Sequence, residues 1–224
     1  MKYEIIGSTM PAVEVTLSAG EAMYTQSGGM AWQTEGIAME TNTKGGLMKG
    51  LGRMLAGESL FMATYKAERE GAMVAFASTV PGEIVPVDVT QLQLICQKGA
   101  FLCAEEGVVV NTVLTKKFSS GLVGGEGFIL QELAGSGTAF LEIDGDKIVK
   151  ELAPGEVLKV DTGNVVAFEK SVSYEVETVK GLKNIFLGGE GLFLTRLVGP
   201  GKVILQTQNF AEFTGRVAAR IPSK

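Results

Sequence analysis

Residues 124–141 read GGEGFILQELAGSGTAFL and residues 188–205 read GGEGLFLTRLVGPGKVIL, so the glycines and the glutamate of the two stretches fall in register around the same apolar pattern. A copy of this length decides the architecture before any single motif does, because such a unit needs its neighbours to bury its apolar face. Working outward, residues 57–76, GESLFMATYKAEREGAMVAF, form a fainter third copy with two extra residues before Gly71, the counterpart of Gly137 and Gly201. A second signature precedes each copy: Ser18-Ala19-Gly20-Glu21, Val80-Pro81-Gly82-Glu83 and Ala153-Pro154-Gly155-Glu156. The last two continue almost letter for letter, through Ile84-Val85-Pro86-Val87-Asp88 and Val157-Leu158-Lys159-Val160-Asp161. Glycine and an apolar run then follow, at Gly28, Gly99 and Gly163. This order of parts predicts three units within a single domain, about 14–77, 78–145 and 149–208.

Each unit reads as strand and turn. Apolar and polar residues alternate through Glu156–Asp161 and Ser173–Val179, the period of a sheet with one buried face. Asp144-Gly145, set between two apolar runs, predicts a hairpin. Pro-Gly pairs at 81–82, 154–155 and 200–201 supply turns at spacings too short for crossover helices. One segment departs from the pattern: Leu47, Leu51, Met54 and Leu55 stand at helical spacing, with Lys49 and Arg53 as charges, which predicts a short helix over 44–55. The expected fold class is all-β, three tandem β repeats in a barrel-like, double-stranded-β-helix body with one short helical insertion.

The 224-residue chain, with 46% hydrophobic and 20% charged residues, is long enough to bury a sizeable core, which excludes disorder. Twenty Lys and Arg against 25 Asp and Glu give a net charge of −5, the wrong sign for a phosphate-tracking surface. The absence of histidine removes the commonest general base and the commonest metal ligand. Two cysteines, an N-terminal run without a signal-peptide core, and apolar runs far short of the roughly 20 residues that span a bilayer point to the cytoplasm.

The run Gly-Gly-Leu-Met-Lys-Gly-Leu-Gly-Arg-Met-Leu-Ala-Gly-Glu-Ser-Leu-Phe at 45–61, the Gly-Glu-Gly-Leu-Phe repeat at 189–193 and the Pro-Gly-Glu turns resemble the AIM24 family over nearly the whole chain. The resemblance implies a β fold similar to that of the tryptophan RNA-binding attenuation protein, with three fused repeats in one chain. It also implies a bacterial cytosolic homologue of a fungal mitochondrial protein. It brings no established reaction, cofactor or catalytic residue, and these repeats lack the basic set that binds RNA in the attenuation protein.

The residues leave few chemistries open. Glu21, Glu83 and Glu156 recur at what reads as one equivalent place and would cluster around a pseudo-threefold axis, or else each is a solvated residue after a turn. Glu58, Glu126 and Glu190 recur likewise beside glycine, and three like charges brought together would raise a pKa or call for a cation, the favoured alternative being a structural place before each apolar strand. Cys96 and Cys103 sit among apolar neighbours as inert thiols. Ser136 is a turn residue without a nucleophile elbow, and Gly50 is followed by Leu51-Gly52 where a phosphate loop has its lysine and hydroxyl. Lys44, Lys49 and Arg53 with Leu47 and Leu51 form a candidate interaction patch for a protein or a membrane surface, with core packing as the alternative. Lys116-Lys117-Phe118 is the one compact basic–aromatic cluster, so nucleic acid is not the expected partner. The expectation is a non-enzymatic interaction or scaffold module that assembles with itself, with no metal or cofactor. Its alternatives are a ligand-binding or catalytic barrel using the repeated glutamates, and an RNA binder.

Overall fold

The computed structural model describes residues 1–26, 28–42, 62–116, 128–178 and 193–221. The segment 44–55 expected to be helical and the glutamates Glu58, Glu126 and Glu190 lie outside them. An N-terminal strand, β1 (Lys2–Ile6), precedes three sets of six. The first set is β2 (Ala12–Leu17), β3 (Ala22–Gln26), β4 (Met30–Gln33), β5 (Ile37–Asn42), β6 (Met62–Ala67) and β7 (Ala72–Ala77). The second is β8 (Gly82–Asp88), β9 (Leu94–Gln97), β10 (Phe101–Glu105), β11 (Val108–Lys116), β12 (Phe128–Gly135) and β13 (Thr138–Asp144). The third is β14 (Lys147–Leu152), β15 (Val157–Asp161), β16 (Val165–Glu169), β17 (Ser173–Thr178), β18 (Phe193–Val198) and β19 (Gly201–Gln206), after which comes helix α1 (Phe210–Ala218).

Within each set the last strand lies between the first and the third: β7 between β2 and β4, β13 between β8 and β10, β19 between β14 and β16. The fifth strand lies between the second and the fourth in the same way, at β6, β12 and β18. The six strands therefore divide between two sheets, and neighbouring sets are joined where β3 pairs with β10 and β9 pairs with β16. Among the described residues four antiparallel sheets result, in the orders β1-β2-β7-β4, β5-β6-β3-β10-β13-β8, β11-β12-β9-β16-β19-β14 and β15-β18-β17.

Apolar patterning explains the stacking. One cluster joins Val13, Val74 and Phe76 of the first sheet to Met23, Cys103 and Phe140 of the second. The next joins Tyr24, Ala104 and Leu141 to Leu94, Cys96 and Ala167 of the third sheet, and the last joins Leu130, Phe168 and Val203 to Leu197 of the fourth. Neighbours on one strand, such as Met23 and Tyr24, thus serve different cores, which is why the interior strands read as continuous apolar runs. Gly71, Gly137 and Gly201, with φ of +74°, +112° and +141°, stand where the chain crosses from the fifth strand of a set to the sixth in the adjacent sheet, a backbone that favours glycine.

Two expectations are corrected here. The body is a set of open sheets: among the described residues no sheet returns to its first strand, because the chain alternates between layers and leaves two margins on each. Asp144-Gly145 is not a hairpin turn. β13 is flanked on both sides by β8 and β10, so no margin remains for β14. Asp144 stays opposite Gly82, the Gly145 N–H donates to the Pro81 carbonyl at 2.8 Å, and the chain passes into the third sheet.

Candidate functional site

Glutamates at two of the three Gly-Glu signatures do the same local work. Gly20 and Gly155 adopt φ of +89° and +78°, and each following glutamate folds back over its turn. The Ser18 N–H donates to Glu21 Oε2 and the Ala153 N–H to Glu156 Oε2, both at 2.8 Å, while the glutamates' own N–H groups donate to the Ser18 and Ala153 carbonyls. Glu21 also meets the N-terminal ammonium at 3.2 Å. The Ser18 N–H, and after it the ammonium, hold its carboxyl below the usual carboxylate range against an opposing effect of burial.

Glu83 sits elsewhere, a correction to the expected single equivalent place. It lies on β8 opposite Ile143 and accepts from the Lys147 N–H at 2.8 Å, with the Lys147 ammonium at 3.5 Å. The second set makes its first-to-second-strand turn at Asp88, whose Oδ1 accepts from the Thr90 N–H at 2.9 Å, so Pro81-Gly82 falls one strand earlier than Pro154-Gly155. Among the described residues no three His, Cys, Asp or Glu side chains group so as to hold a metal ion.

The other sequence candidates are placed as follows. Burial pushes the Cys96 thiol up to about 12 and raises that of Cys103 well above its ordinary value, so neither is a thiolate nucleophile at neutral pH. The two belong to different core clusters. Ser136 closes a turn, its N–H donating to the Gly107 carbonyl at 3.1 Å. Lys44, Leu47, Lys49, Leu51 and Arg53 lie outside the described residues, as do Lys117 and Phe118. A cleft of about 500 Å³ beside the Glu156 turn brings Glu151, Glu156 and Glu169 to one opening, and among the described residues no cationic side chain lines it.

Sequence reasoning missed the C-terminal helix. Asn209 caps α1 by accepting from the Glu212 N–H at 3.2 Å, and Glu212 pairs with Arg216 one turn on. Phe210, Phe213, Val217 and Ile221 keep to helical spacing and are 43%, 52%, 46% and 65% exposed. The cap residue followed by that spacing was the available signal. Beside it, burial and then the charge of Glu142 push the Asp144 carboxyl up to about 6, against a hydrogen bond from the Phe210 N–H. Open apolar side chains stand on the end sheets, where Trp32 on β4 is 41% exposed with its Nε1 donating to Glu14 at 3.0 Å and Val157 on β15 is 44% exposed, and also on inner-sheet margins, at Met39 of β5, Val109 of β11 and Val149 of β14.

Comparison with known proteins places this geometry. The family model described as mitochondrial biogenesis AIM24 matches residues 3–208. An uncharacterized protein of Streptococcus pyogenes serotype M6 is 29% identical over 221 residues, 95% of this chain and 88% of that one. The X-ray crystal structure of another Streptococcus pyogenes protein superposes with a TM-score of 0.82 at 25% identity, over 98% of this chain and 99% of that one.

Proposed function

The chain belongs to the AIM24 family, and from that premise we propose that it is a non-enzymatic interaction or scaffold module of three repeated β units, working as an assembly of identical copies. The three-unit reading is supported by the pairing scheme, in which the first, third and last strands of each set share one sheet and the others share the next. The same reading carries the expected likeness to the attenuation protein as one of β architecture, without its ligands.

The observation that carries self-assembly is the incompleteness of the stack. Among the described residues the inner sheets have six strands, whereas the end sheets have four and three, and side chains as large as Trp32 on an end sheet and Phe210 and Phe213 on α1 stand open. Apolar groups collected in this way mark contact surfaces. Of the glutamates that would serve a ligand-binding barrel, Glu21, Glu83 and Glu156 are engaged by turn and strand amides, and the acidic balance weighs against an RNA partner. No helix among the described residues is long and apolar enough to cross a membrane, and a cytoplasmic location belongs to the proposal. Size-exclusion chromatography with light scattering tests the assembly: a mass that is a multiple of 23.6 kDa is expected, and a monomer at every concentration overturns it.

A further inference from the structure

In both inner sheets the second strand of one set pairs antiparallel with the third strand of the next. Thr25 faces Cys103 and Tyr24 faces Ala104 in one seam; Cys96 faces Ala167 and Ile95 faces Phe168 in the other. The two ends of the stack leave one strand of each kind over. Among the described residues, β4 is a third strand with no second strand beside it, and β15 is a second strand with no third strand beside it. They differ from the other margins of the sets: β5, β11 and β17 are marginal in every set, and the first strands β8 and β14 are marginal while only β2 is covered, by β1, whereas the counterparts of β4 and β15 are interior in every other set. Resting on the self-assembly reading above, we propose that β15 of one copy pairs antiparallel with β4 of the next, repeating the inner seam between molecules.

The register follows from the inner seams. A β-bulge between Met30 and Trp32 recurs between Phe101 and Cys103 and between Val165 and Ala167, which aligns Trp32 with Cys103 and Ala167, and Gln33 with Ala104 and Phe168. On the other side, Gln131 and Thr195 hold the same place in the two copied stretches and face Cys96 and Val160, which aligns Val160 with Cys96 and Lys159 with Ile95. The intermolecular pairs are therefore Val160 with Trp32 and Lys159 with Gln33.

Burial agrees position by position. Cys103, Ala167, Ala104 and Phe168 are fully buried, while Trp32 is 41% exposed and Gln33 is exposed too. Cys96 is fully buried, while Val160 is only half-buried. The new seam is more polar than the inner ones at Lys159 and Gln33: the Lys159 ammonium donates to Glu177 Oε2 at 2.7 Å within its own chain and has further N–H donors for the Gln33 amide oxygen. A lysine on a lone margin also hinders indiscriminate strand addition. Trp32 supplies the large rigid apolar contact, and Asn209 Nδ2, 3.4 Å from Asp161 Oδ1, sets the exposed start of α1 at the end of the same margin. Since the two surfaces differ, the contact is head-to-tail and builds rings or open chains rather than a two-fold dimer.

The test mixes Gln33→Cys protein with Lys159→Cys protein under mild oxidation. Directly opposed Cβ atoms in an antiparallel pair lie about 4.5–5.5 Å apart, close enough for a disulfide with slight adjustment, and the native cysteines are buried out of reach. A cross-linked dimer is expected from the mixture, none from either variant alone, and a ladder from the double variant. A single variant that cross-links with itself, or assembled variants that do not cross-link when mixed, overturn the pairing but leave self-assembly standing. Wild-type protein that is monomeric throughout overturns both. Trp32→Arg, at an exposed site, gives a second reading: circular dichroism unchanged and the mass reduced to that of one chain are expected, and an undiminished assembly counts against the seam.

Discussion

Pro81–Asp88 and Pro154–Asp161 differ at three of their residues, yet the chain uses them for different purposes. The first begins β8, where Glu83 faces Ile143 and Gly82 faces Asp144. The second is a turn followed by β15, with Gly155 in the left-handed region and Glu156 folded over the Ala153 N–H. Local chemistry permits both outcomes, since Pro-Gly starts a strand as readily as it closes a turn. What separates them is what lies beside each: β13 is already in place along β8, whereas the Gly155 N–H meets the Gly199 carbonyl across the turn. One of the three differing positions fits this division, for Pro86 sits on a sheet margin where a missing N–H does no harm and its counterpart Lys159 protects another; the other two exchange one aliphatic residue for another.

The sharpest way to break this comparison is to put the same methyl group into both glycines. A Cβ on Gly82 would stand 1.7 Å from the Ile143 carbonyl oxygen, and backbone cannot yield as a side chain would. Gly82→Ala is expected to destabilise by about 3 kcal/mol or more. At Gly155 a Cβ meets nothing within 4 Å and only the φ of +78° opposes it, so Gly155→Ala should cost roughly 1 kcal/mol. Urea unfolding of the two variants measures the difference; equal losses would mean that the stretches are equivalent after all.

A smaller contrast comes from the valines at the same place in each stretch. Val87 is buried in the second core cluster, and Val87→Ala is expected to cost about 2 kcal/mol. Val160 is half-buried on a marginal strand, and the same change should cost about half as much.

These contrasts mark how far the sequence reaches. Strand character and the equivalence of Gly71, Gly137 and Gly201 were legible because they depend on alternation and on backbone that other residues resist, whereas the crossing between sheets at these glycines was not. Sharing of sheets between sets was not, because β3 with β10 and β9 with β16 are long-range pairings that no local pattern specifies. Asp144-Gly145 misled for the same reason, since a hairpin needs a free margin and β13 has none. Of the candidate site, the inert thiols and the turn role of Glu21 and Glu156 could be read, while Glu83 was misplaced by its near-identity to Glu156. The exposed margins could not be read, because exposure at Trp32 is defined by which strand is missing beside it.

Asp144, facing Gly82 across the ladder, has no counterpart at the Gly155 turn and adds a pH dependence to one side of the comparison. Its carboxyl stands at about 6 in the fold against 3.8 ordinarily, burial being the main cause. The folded chain therefore holds this proton more tightly, and its stability falls as pH rises between those values and levels off above them. Allowing for partial solvation, the loss by neutral pH is about 1 kcal/mol. Asp144→Asn keeps an acceptor for the Phe210 N–H, so it should stabilise by that amount at pH 8 and change little at pH 4. Melting curves at the two pH values check this, and a variant less stable at both would assign the carboxylate a favourable role instead.

The gentlest test returns to the two glutamates. Glu156 accepts from a neutral N–H within its own turn, whereas Glu83 reaches across 64 residues to the Lys147 N–H and also attracts the Lys147 ammonium. Truncation to alanine should cost about 0.5–1 kcal/mol in each case, because a net hydrogen bond is worth little more and the ion pair is solvated. Salt distinguishes them. At high ionic strength the Coulombic part at Glu83 is screened, so the cost of Glu83→Ala should shrink, while that of Glu156→Ala, which removes no cation's partner, should stay nearly constant. Chemical denaturation by urea, which leaves ionic strength free to vary, measures both, and a parallel response would mean that Glu83 acts through its N–H contact alone.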